Sequence, residues 1–123
     1  MKSFMDAGVI MASASDFPVS MPCPPMLGIH GGVTRCEPGV EDPNEVLGPE
    51  ERVSVEEMIA SYTINGAYAN FLEGETGSLE VGKKADIIVL DQNLLENPSS
   101  KISETKVLMT IFEGKEIYRD ASI

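Results

Sequence analysis

The most informative stretch of this sequence is Gly77-Ser78-Leu79-Glu80-Val81-Gly82-Lys83-Lys84-Ala85-Asp86-Ile87-Ile88-Val89-Leu90. Gly77 and Gly82 bracket a tight excursion of the chain, where glycine can take a positive φ without the steric cost of a Cβ. Ala85 to Leu90 is then mostly apolar and bounded by turn residues, which predicts a strand. The stretch therefore predicts a turn that delivers the chain into a β-sheet.

The chain that follows this stretch is predicted to be rich in β-structure. Lys106 to Phe112 and Lys115 to Tyr118 are two further strand candidates. Glu113-Gly114 stands between them at the spacing of a β-hairpin. The sequence thus changes from an α/β pattern to a β-rich one near residue 74.

The clearest helix signal lies before the stretch and begins at Ser54. Ser54 and Glu57 fit a capping box, in which each side chain satisfies a free backbone N–H group of the other. Four apolar residues then fall on one helical face: Val55, Met58, Ile59 and Tyr62. We expect this helix to run to about Asn70.

The first part of the chain predicts half of an α/β unit. Met1 to Ala7 has apolar residues at helical spacing, and Gly8 is a candidate helix C-cap. Val9 to Ala12 is a short continuous apolar run, which predicts a strand buried on both faces in a parallel sheet. Asp16 follows that run, at the position where α/β enzymes place catalytic residues.

Residues 18–51 are predicted to be an extended connection, a helix and a surface loop, in that order. Four prolines between Pro18 and Pro25 favour a rigid connection, and Pro24-Pro25 can also start a helix. The helix would take its apolar side from Met26, Leu27, Ile29 and Val33. Glu37 to Glu51 is rich in proline, glycine and acidic residues and predicts a loop.

Length and charge exclude several classes of protein. At 123 residues the chain fits one ordinary domain, whereas a complete eight-stranded α/β barrel takes about 250 residues. The net charge of −11 disfavours nucleic acid and anionic membranes as partners, and its simplest role is solubility. No apolar run approaches the roughly 18 residues of a membrane span, and no secretory signal is apparent, so we expect a cytoplasmic protein. Cys23 and Cys36 are accordingly expected to be reduced thiols.

Three segments, taken in order, resemble the amidohydrolase superfamily. The spacing Gly-x-Leu-x-x-Gly-x-x-Ala-Asp in residues 77–90 resembles the return of those enzymes from their barrel to a small β-sandwich. Residues 54–70, with Tyr62-Thr63-Ile64-Asn65-Gly66-Ala67, resemble the last long helix in the branch that cleaves N-substituted amides and formamides. Residues 7–9, 15–19 and 28–35 resemble the eighth barrel strand and its following loop of that branch. The resemblance extends from about residue 2 to residue 119.

This resemblance implies a mixed α/β (α+β) fold in two parts. Residues 1–74 would be the last strand and helices of a TIM-like (β/α)8 barrel, and residues 75–123 a β-rich segment of the accessory β-sandwich. The implied function is that of the C-terminal portion of a metal-dependent hydrolase acting on non-peptide carbon–nitrogen amide bonds, incomplete and inactive alone. The alternatives are a non-catalytic binding or oligomerisation module derived from such an enzyme, and an enzyme completed by a separate chain.

The resemblance also implies a catalytic metal, of which this chain supplies one ligand. The superfamily uses one or two divalent ions, zinc by our expectation, to lower the pKa of a bound water. It holds them with a His-x-His pair, further histidines, and an aspartate after the eighth strand. Asp16 matches that aspartate and is implied as both metal ligand and catalytic residue, although it could instead only cap a turn. Without the histidines we expect the chain alone to bind no metal.

Two further residues are candidates for binding a small-molecule amide substrate. His30 is the only histidine, and it lies in the region that in the family lines the mouth of the site. It lacks a partner at metal-ligand spacing, which favours a structural or substrate-side position over a metal ligand. Arg35 has a planar fork suited to a substrate carboxylate, with a surface ion pair as the alternative.

Val9 to Ala12, stripped of neighbouring barrel strands, would leave open edges that invite self-association.

Overall fold

The computed structural model describes residues 1–19, 24–40 and 43–123 of the chain. The helices are α1 (Lys2–Asp6), α2 (Pro25–Thr34), α3 (Val55–Tyr62) and α4 (Ile64–Ala69). The strands are β1 (Ile87–Leu90), β2 (Val107–Phe112) and β3 (Lys115–Arg119). Short 3-10 helices occupy Pro43–Glu45, Pro49–Glu51 and Ser99–Glu104. The predicted mixed α/β class is confirmed.

Two helices and the chain near residue 100 enclose the core. Pro25 stands in the first turn of α2, as predicted. Proline lacks a backbone N–H, but an N–H at this position has no partner within the helix, so no hydrogen bond is lost. One cluster gathers the buried apolar side chains: Met26, Ile29, Val53, Met58, Leu94 and Ile102. Leu94 and Ile102 belong to the later part of the sequence, so residues from both sides of position 74 build the same core.

The capping box at the start of α3 is confirmed. The backbone N–H of Glu57 donates to Ser54 Oγ at 3.1 Å, and that of Ser54 donates to Glu57 Oε2 at 2.7 Å. The prediction of one continuous helix to Asn70 is wrong, because the backbone leaves helical geometry at Thr63 (φ −124°, ψ −96°). The Thr63 hydroxyl donates to the Ile59 carbonyl at 2.7 Å, and such back-bonding bends helices.

The three predicted strands form one antiparallel sheet in the order β1-β2-β3. Ile88, Thr110 and Tyr118 lie side by side across it. Glu113 (φ 48°) and Gly114 (φ 77°) form the turn between β2 and β3, with positive φ at both positions as a type I′ turn requires. In these three strands, all of which are described, no residue is fully buried.

The turn before β1 packs tightly against α4. Gly77 has φ 89°, and a Cβ there would lie 2.7 Å from Ala67 Cβ and 3.0 Å from Ile64 Cα. Gly82 has φ 97° but open space around it. Both glycines thus take the positive φ predicted from sequence, and Gly77 also allows a close approach that any side chain would block.

Asp86 ties this turn to the hairpin. Its Oδ1 accepts the backbone N–H of Glu113 at 2.8 Å, and its Oδ2 accepts the Thr76 hydroxyl at 2.7 Å. The Glu113 N–H, followed by the Thr76 hydroxyl, holds the pKa of the Asp86 carboxyl below its usual range, because both donors favour the ionised form. Asp86 therefore has a structural role, because it joins residue 76 to the turn between β2 and β3.

The predicted buried strand at Val9 to Ala12 is wrong. These residues form no regular secondary structure, and the side chains of Val9 and Ile10 are 49% and 56% exposed. Residues 9–15, which we call the docked segment, lie instead on α3 and α4. A strand requires hydrogen bonds from a neighbouring strand. In the described part of the chain, the segment's neighbours are two helices, α3 and α4, and not a strand.

Three polar contacts hold the docked segment. The backbone N–H of Ser13 donates to the Ser61 carbonyl at 3.0 Å, and the hydroxyls of the two serines lie 2.9 Å apart. The side-chain amide of Asn65 donates to the Met11 carbonyl at 3.0 Å. Residues 11, 13 and 15 are half-buried, whereas residues 12 and 14 are exposed. Only one face of the segment is therefore covered.

Candidate functional site

Asp16 lies just after the docked segment, in a turn. It has a left-handed backbone (φ 54°), which aspartate tolerates better than most residues, and its carbonyl accepts the N–H of Val19 at 2.8 Å. The residue is exposed to solvent. Asp16 thus shapes a turn through its backbone and presents its carboxylate at the surface.

His30 lies within helix α2 and is 2% exposed. The helix predicted to start at Pro24-Pro25 does form, and it continues through His30 to Thr34. Among the described residues neither ring nitrogen has a hydrogen-bond partner. A buried polar group without a partner costs about 1–3 kcal/mol, so this imidazole is an expensive feature.

A cavity of about 880 Å³ lies against His30 and is called here the His30 cavity. It opens between α2, the chain after it, and residues 99–104. Its polar side chains include Thr34, Cys36, Arg52, Ser99, Lys101 and Glu104. The sequence could not reveal this grouping, because residues far apart along the chain meet only in the folded core.

The charged groups of the His30 cavity are partly engaged. Arg52 Nε donates to the Thr34 carbonyl at 3.0 Å, which fixes the guanidinium beside the end of α2. Lys101 Nζ pairs with Glu104 Oε1 at 2.8 Å, and both side chains are more than half exposed. An exposed pair of this kind contributes little to stability and rearranges easily.

Arg35 caps the C-terminus of α2 with a left-handed backbone (φ 62°). Its Nε donates to the Leu47 carbonyl at 2.9 Å, and its own carbonyl accepts the Leu47 N–H at 2.8 Å. It lines a smaller cavity of about 250 Å³ together with Glu37 and Glu45. Arg35 and His30 therefore face different cavities, and Asp16 lines neither of them.

A third cavity, of about 680 Å³, separates the helix pair from the sheet. Its lining is largely apolar and includes Ile59, Tyr62, Leu72, Leu79 and Ile88. Burial raises the pKa of the Tyr62 phenol, since the apolar surroundings disfavour the phenolate. Several of these lining residues are themselves exposed, so the sheet and the helices present an uncovered apolar surface to each other.

The described residues do not by themselves fit a metal ion. No group of three or more His, Cys, Asp or Glu side chains in residues 1–19, 24–40 and 43–123 has the geometry to hold one. Asp16 alone supplies a single carboxylate, whereas zinc sites use three or four protein ligands. Further ligands would have to come from residues other than these.

Two other predictions concern the thiols and the membrane. Cys36 is a free, half-buried thiol, and Cys23 lies outside the described residues. Within the ranges that the structure covers, no helix is both long and apolar enough to cross a bilayer.

Comparison with known proteins gives consistent results. The sequence profile of the Amidohydrolase family matches residues 1–118. The N-substituted formamide deformylase of Arthrobacter pascens is 33% identical over 113 residues, which cover 92% of this chain and 20% of that protein. The imidazolonepropionase of Bdellovibrio bacteriovorus is 32% identical over 117 residues, covering 95% and 24% respectively.

A solved structure shares the fold. The crystal structure of an amidohydrolase from Thermotoga maritima aligns with a TM-score of 0.70 at 21% identity, over 97% of this chain and 25% of that one. The present chain thus spans about a fifth to a quarter of the length of the proteins that it matches.

Proposed function

This chain belongs to the amidohydrolase family, and from that premise we propose that it is the C-terminal portion of a hydrolase acting on non-peptide carbon–nitrogen amide bonds. The family is generally metal-dependent. The observation that carries the proposal is the match over residues 1–118, with relatives at 32–33% identity that are named an N-substituted formamide deformylase and an imidazolonepropionase. The substrate would be a small amide, and the cellular location cytoplasmic.

The chain is incomplete for this chemistry. It covers about a fifth to a quarter of its relatives, and its described residues form no metal site. In the complete enzyme the remaining residues would supply the other ligands of a divalent ion, which we expect to be zinc. That ion would furnish the nucleophilic water. The chain alone would be inactive.

Asp16 is the residue that this chain would contribute to the chemistry. Its carboxylate is exposed, so groups outside the described residues can reach it. A carboxylate at this position can contact the metal and exchange a proton with a reacting group. Its left-handed turn follows the docked segment directly, so the carboxylate lies at the end of that segment.

His30 and Arg35 complete the proposed site on the substrate side. They line separate cavities, so they would contact different parts of a ligand. Arg35 lies beside Glu37 and Glu45 in its cavity, an arrangement that suits a ligand carrying both donors and acceptors.

We propose that in the complete enzyme the docked segment takes the place of the last strand of a TIM-like barrel, although in this chain it forms no strand. Its apolar residues and its single covered face support this assignment, since a barrel strand has helices on one side and the barrel interior on the other. In the chain alone the uncovered apolar face of the segment would favour self-association.

Zinc calorimetry and light scattering on the purified chain test the proposal together. We expect no stoichiometric zinc binding at micromolar concentrations, and a self-associated chain. Tight stoichiometric binding by a clean monomer would overturn the proposal. A clean monomer that binds no zinc would favour the non-catalytic module.

A variant pair makes the self-association test specific. Ile10→Asp places a charge on the uncovered face of the docked segment and should shift the chain toward monomer. Leu47→Asp is the matched control, because Leu47 is 75% exposed but lies in the loop before α3. If both variants dissociate the chain equally, the docked segment is not the contact.

A further inference from the structure

We propose that Asn65 is a positioning residue for Asp16 and acts on it through the docked segment. The role rests on the proposed function, because the place of Asp16 matters to the reaction only if its carboxylate takes part. The side-chain amide of Asn65 donates to the Met11 carbonyl at 3.0 Å, although the two residues are 54 positions apart in sequence. An amide does not ionise near neutral pH, so Asn65 can hold the segment as a donor but cannot be the acid or base of the reaction.

Asp16 depends on the docked segment because its own side chain is not anchored. The carboxylate is exposed and makes no hydrogen bond or ion pair with the residues that the structure describes. The Asp16 carbonyl accepts the Val19 N–H at 2.8 Å, which closes the local turn but does not attach it to a helix. In the described part of the chain, this turn is therefore connected to the helices through the docked segment.

The docked segment is attached to the helices at two points. The first is at Ser13, whose N–H donates to the Ser61 carbonyl at 3.0 Å, and the second is the contact between Met11 and Asn65. Both points lie on the covered face of the segment, which residues 11, 13 and 15 share. One attachment would let the segment pivot, whereas two also fix its direction. Asp16 follows Ser13 by three residues, at most about 11 Å of extended chain, so the fixed direction extends to its turn.

Asn65 is itself kept in place by the packing of α4. The turn at Gly77 lies so close to this helix that a Cβ on Gly77 would be 2.7 Å from Ala67 Cβ and 3.0 Å from Ile64 Cα. Ala67 is also buried. Because close-packed groups resist displacement, α4 holds the Asn65 amide in a constant position. A positioning side chain requires such support for its own element.

Backbone 15N relaxation of the isotopically labelled full chain tests this role through two Asn→Asp variants. Asn65→Asp keeps the shape of the side chain but replaces the donor with a carboxylate that faces the Met11 carbonyl. Asn70→Asp is the matched control, because the Asn70 amide donates at 2.8 Å to the Gly66 carbonyl and does not contact the docked segment. Near neutral pH we expect the order parameters of residues 13–16 to fall from about 0.85 to below about 0.6 in Asn65→Asp. They should keep the parent value in Asn70→Asp.

Acid provides a second arm, because protonation turns the introduced carboxyl back into a donor. An aspartate carboxyl ordinarily titrates near about pH 3.9. As the pH falls through this titration, the order of residues 13–16 in Asn65→Asp should recover toward that of the parent chain at the same pH. The loss of a merely structural contact would not be reversed by acid. Should Asn65→Asp fail to fold at neutral pH, Asn65→Ala removes the donor without the repulsion, and Asn70→Ala is then its control.

Three results would overturn the positioning role. One is an equal loss of order at Asp16 in the Asn65 and Asn70 variants, and another is a loss in Asn65→Asp that acid does not reverse. The third is a lowered urea midpoint while residues 13–16 stay rigid, which would make Asn65 a stabilising residue alone. None of these measurements involves zinc. Loss of order at Asp16 combined with tight zinc binding by the chain alone would keep the positioning role and overturn the proposed function.

Discussion

Val9 to Ala12 and Ile87 to Leu90 are both runs of four apolar residues, yet only the second forms a strand. The sequence predicts a strand at each place from the same local signal. Ile87 to Leu90 pairs with β2 through a register from Ile87↔Ile111 to Leu90↔Val107. Val9 to Ala12 meets the side of a helix pair and keeps its second face exposed.

An apolar run thus reflects a preference for burial, whereas the available hydrogen-bond partner decides the secondary structure. β1 finds its partner in β2, which already pairs with β3 in a hairpin, so the partner strand is itself encoded locally. A barrel strand depends on neighbours that are distant in sequence. The docked segment has the composition of a barrel strand without such neighbours.

Removing a core side chain of α3, the helix on which the docked segment lies, should have the largest effect. Met58 is 2% exposed and packs against Gly32 of α2, so Met58→Ala leaves a cavity and should destabilise the chain by about 3 kcal/mol. Leu79→Ala is the control, because Leu79 is 76% exposed and its loss should change stability by less than about 0.5 kcal/mol. Urea unfolding followed by circular dichroism measures both. Similar losses would mean that the sheet side carries as much burial as the helical core.

Local signals account for most of the correct predictions. The Ser54–Glu57 capping box, Pro25 at a helix start, and the Glu113-Gly114 hairpin each depend on residues within a few positions of one another. The break at Thr63 was missed because a back-bonding hydroxyl looks like any other helical threonine in sequence. The His30 cavity was missed for a different reason, since Arg52 and Lys101 reach it only through the packing of α2 against residues 99–104.

The turn that leads into β1 should show the next largest effect. Gly77→Ala combines a strained positive φ with contacts to Ala67 and to the backbone of Ile64, and should cost about 2–3 kcal/mol. Gly82→Ala has a similar φ but open space, so only the strain remains and about 1 kcal/mol is expected. The difference between the two variants in urea unfolding isolates the close approach. Equal costs would show that Gly77 is required for its φ alone.

Loosening the docked segment should have a smaller effect. Ser61 is fully buried, and its hydroxyl donates to the Met58 carbonyl at 2.8 Å and contacts the Ser13 hydroxyl. Ser61→Ala removes these contacts and should cost about 1 kcal/mol. Amide hydrogen exchange should accelerate in residues 9–15 and stay unchanged in β2. The exposed Ser100→Ala serves as the control, and faster exchange in β2 would mean that the segment and the sheet unfold together.

The pairing of β1 with the hairpin should carry a small dependence on pH through Asp86. The pKa of this carboxyl is lowered in the folded chain, first by the Glu113 N–H and then by the Thr76 hydroxyl. A depressed folded pKa means that the stabilisation is fully present above the unfolded value, which is about 3.9, and is lost as the pH falls through the folded pKa. Asp86→Asn should therefore lose stability near neutral pH and show a shallower decline in its urea midpoint below about pH 4. Thr76→Val removes only the second donor, so its acid-induced decline in urea midpoint should lie between those of the parent chain and Asp86→Asn. If the urea midpoint of Asp86→Asn falls as steeply in acid as that of the parent chain, other carboxylates cause the acid sensitivity. The contact between Asp86 and the Glu113 turn would then not depend on the charge of Asp86.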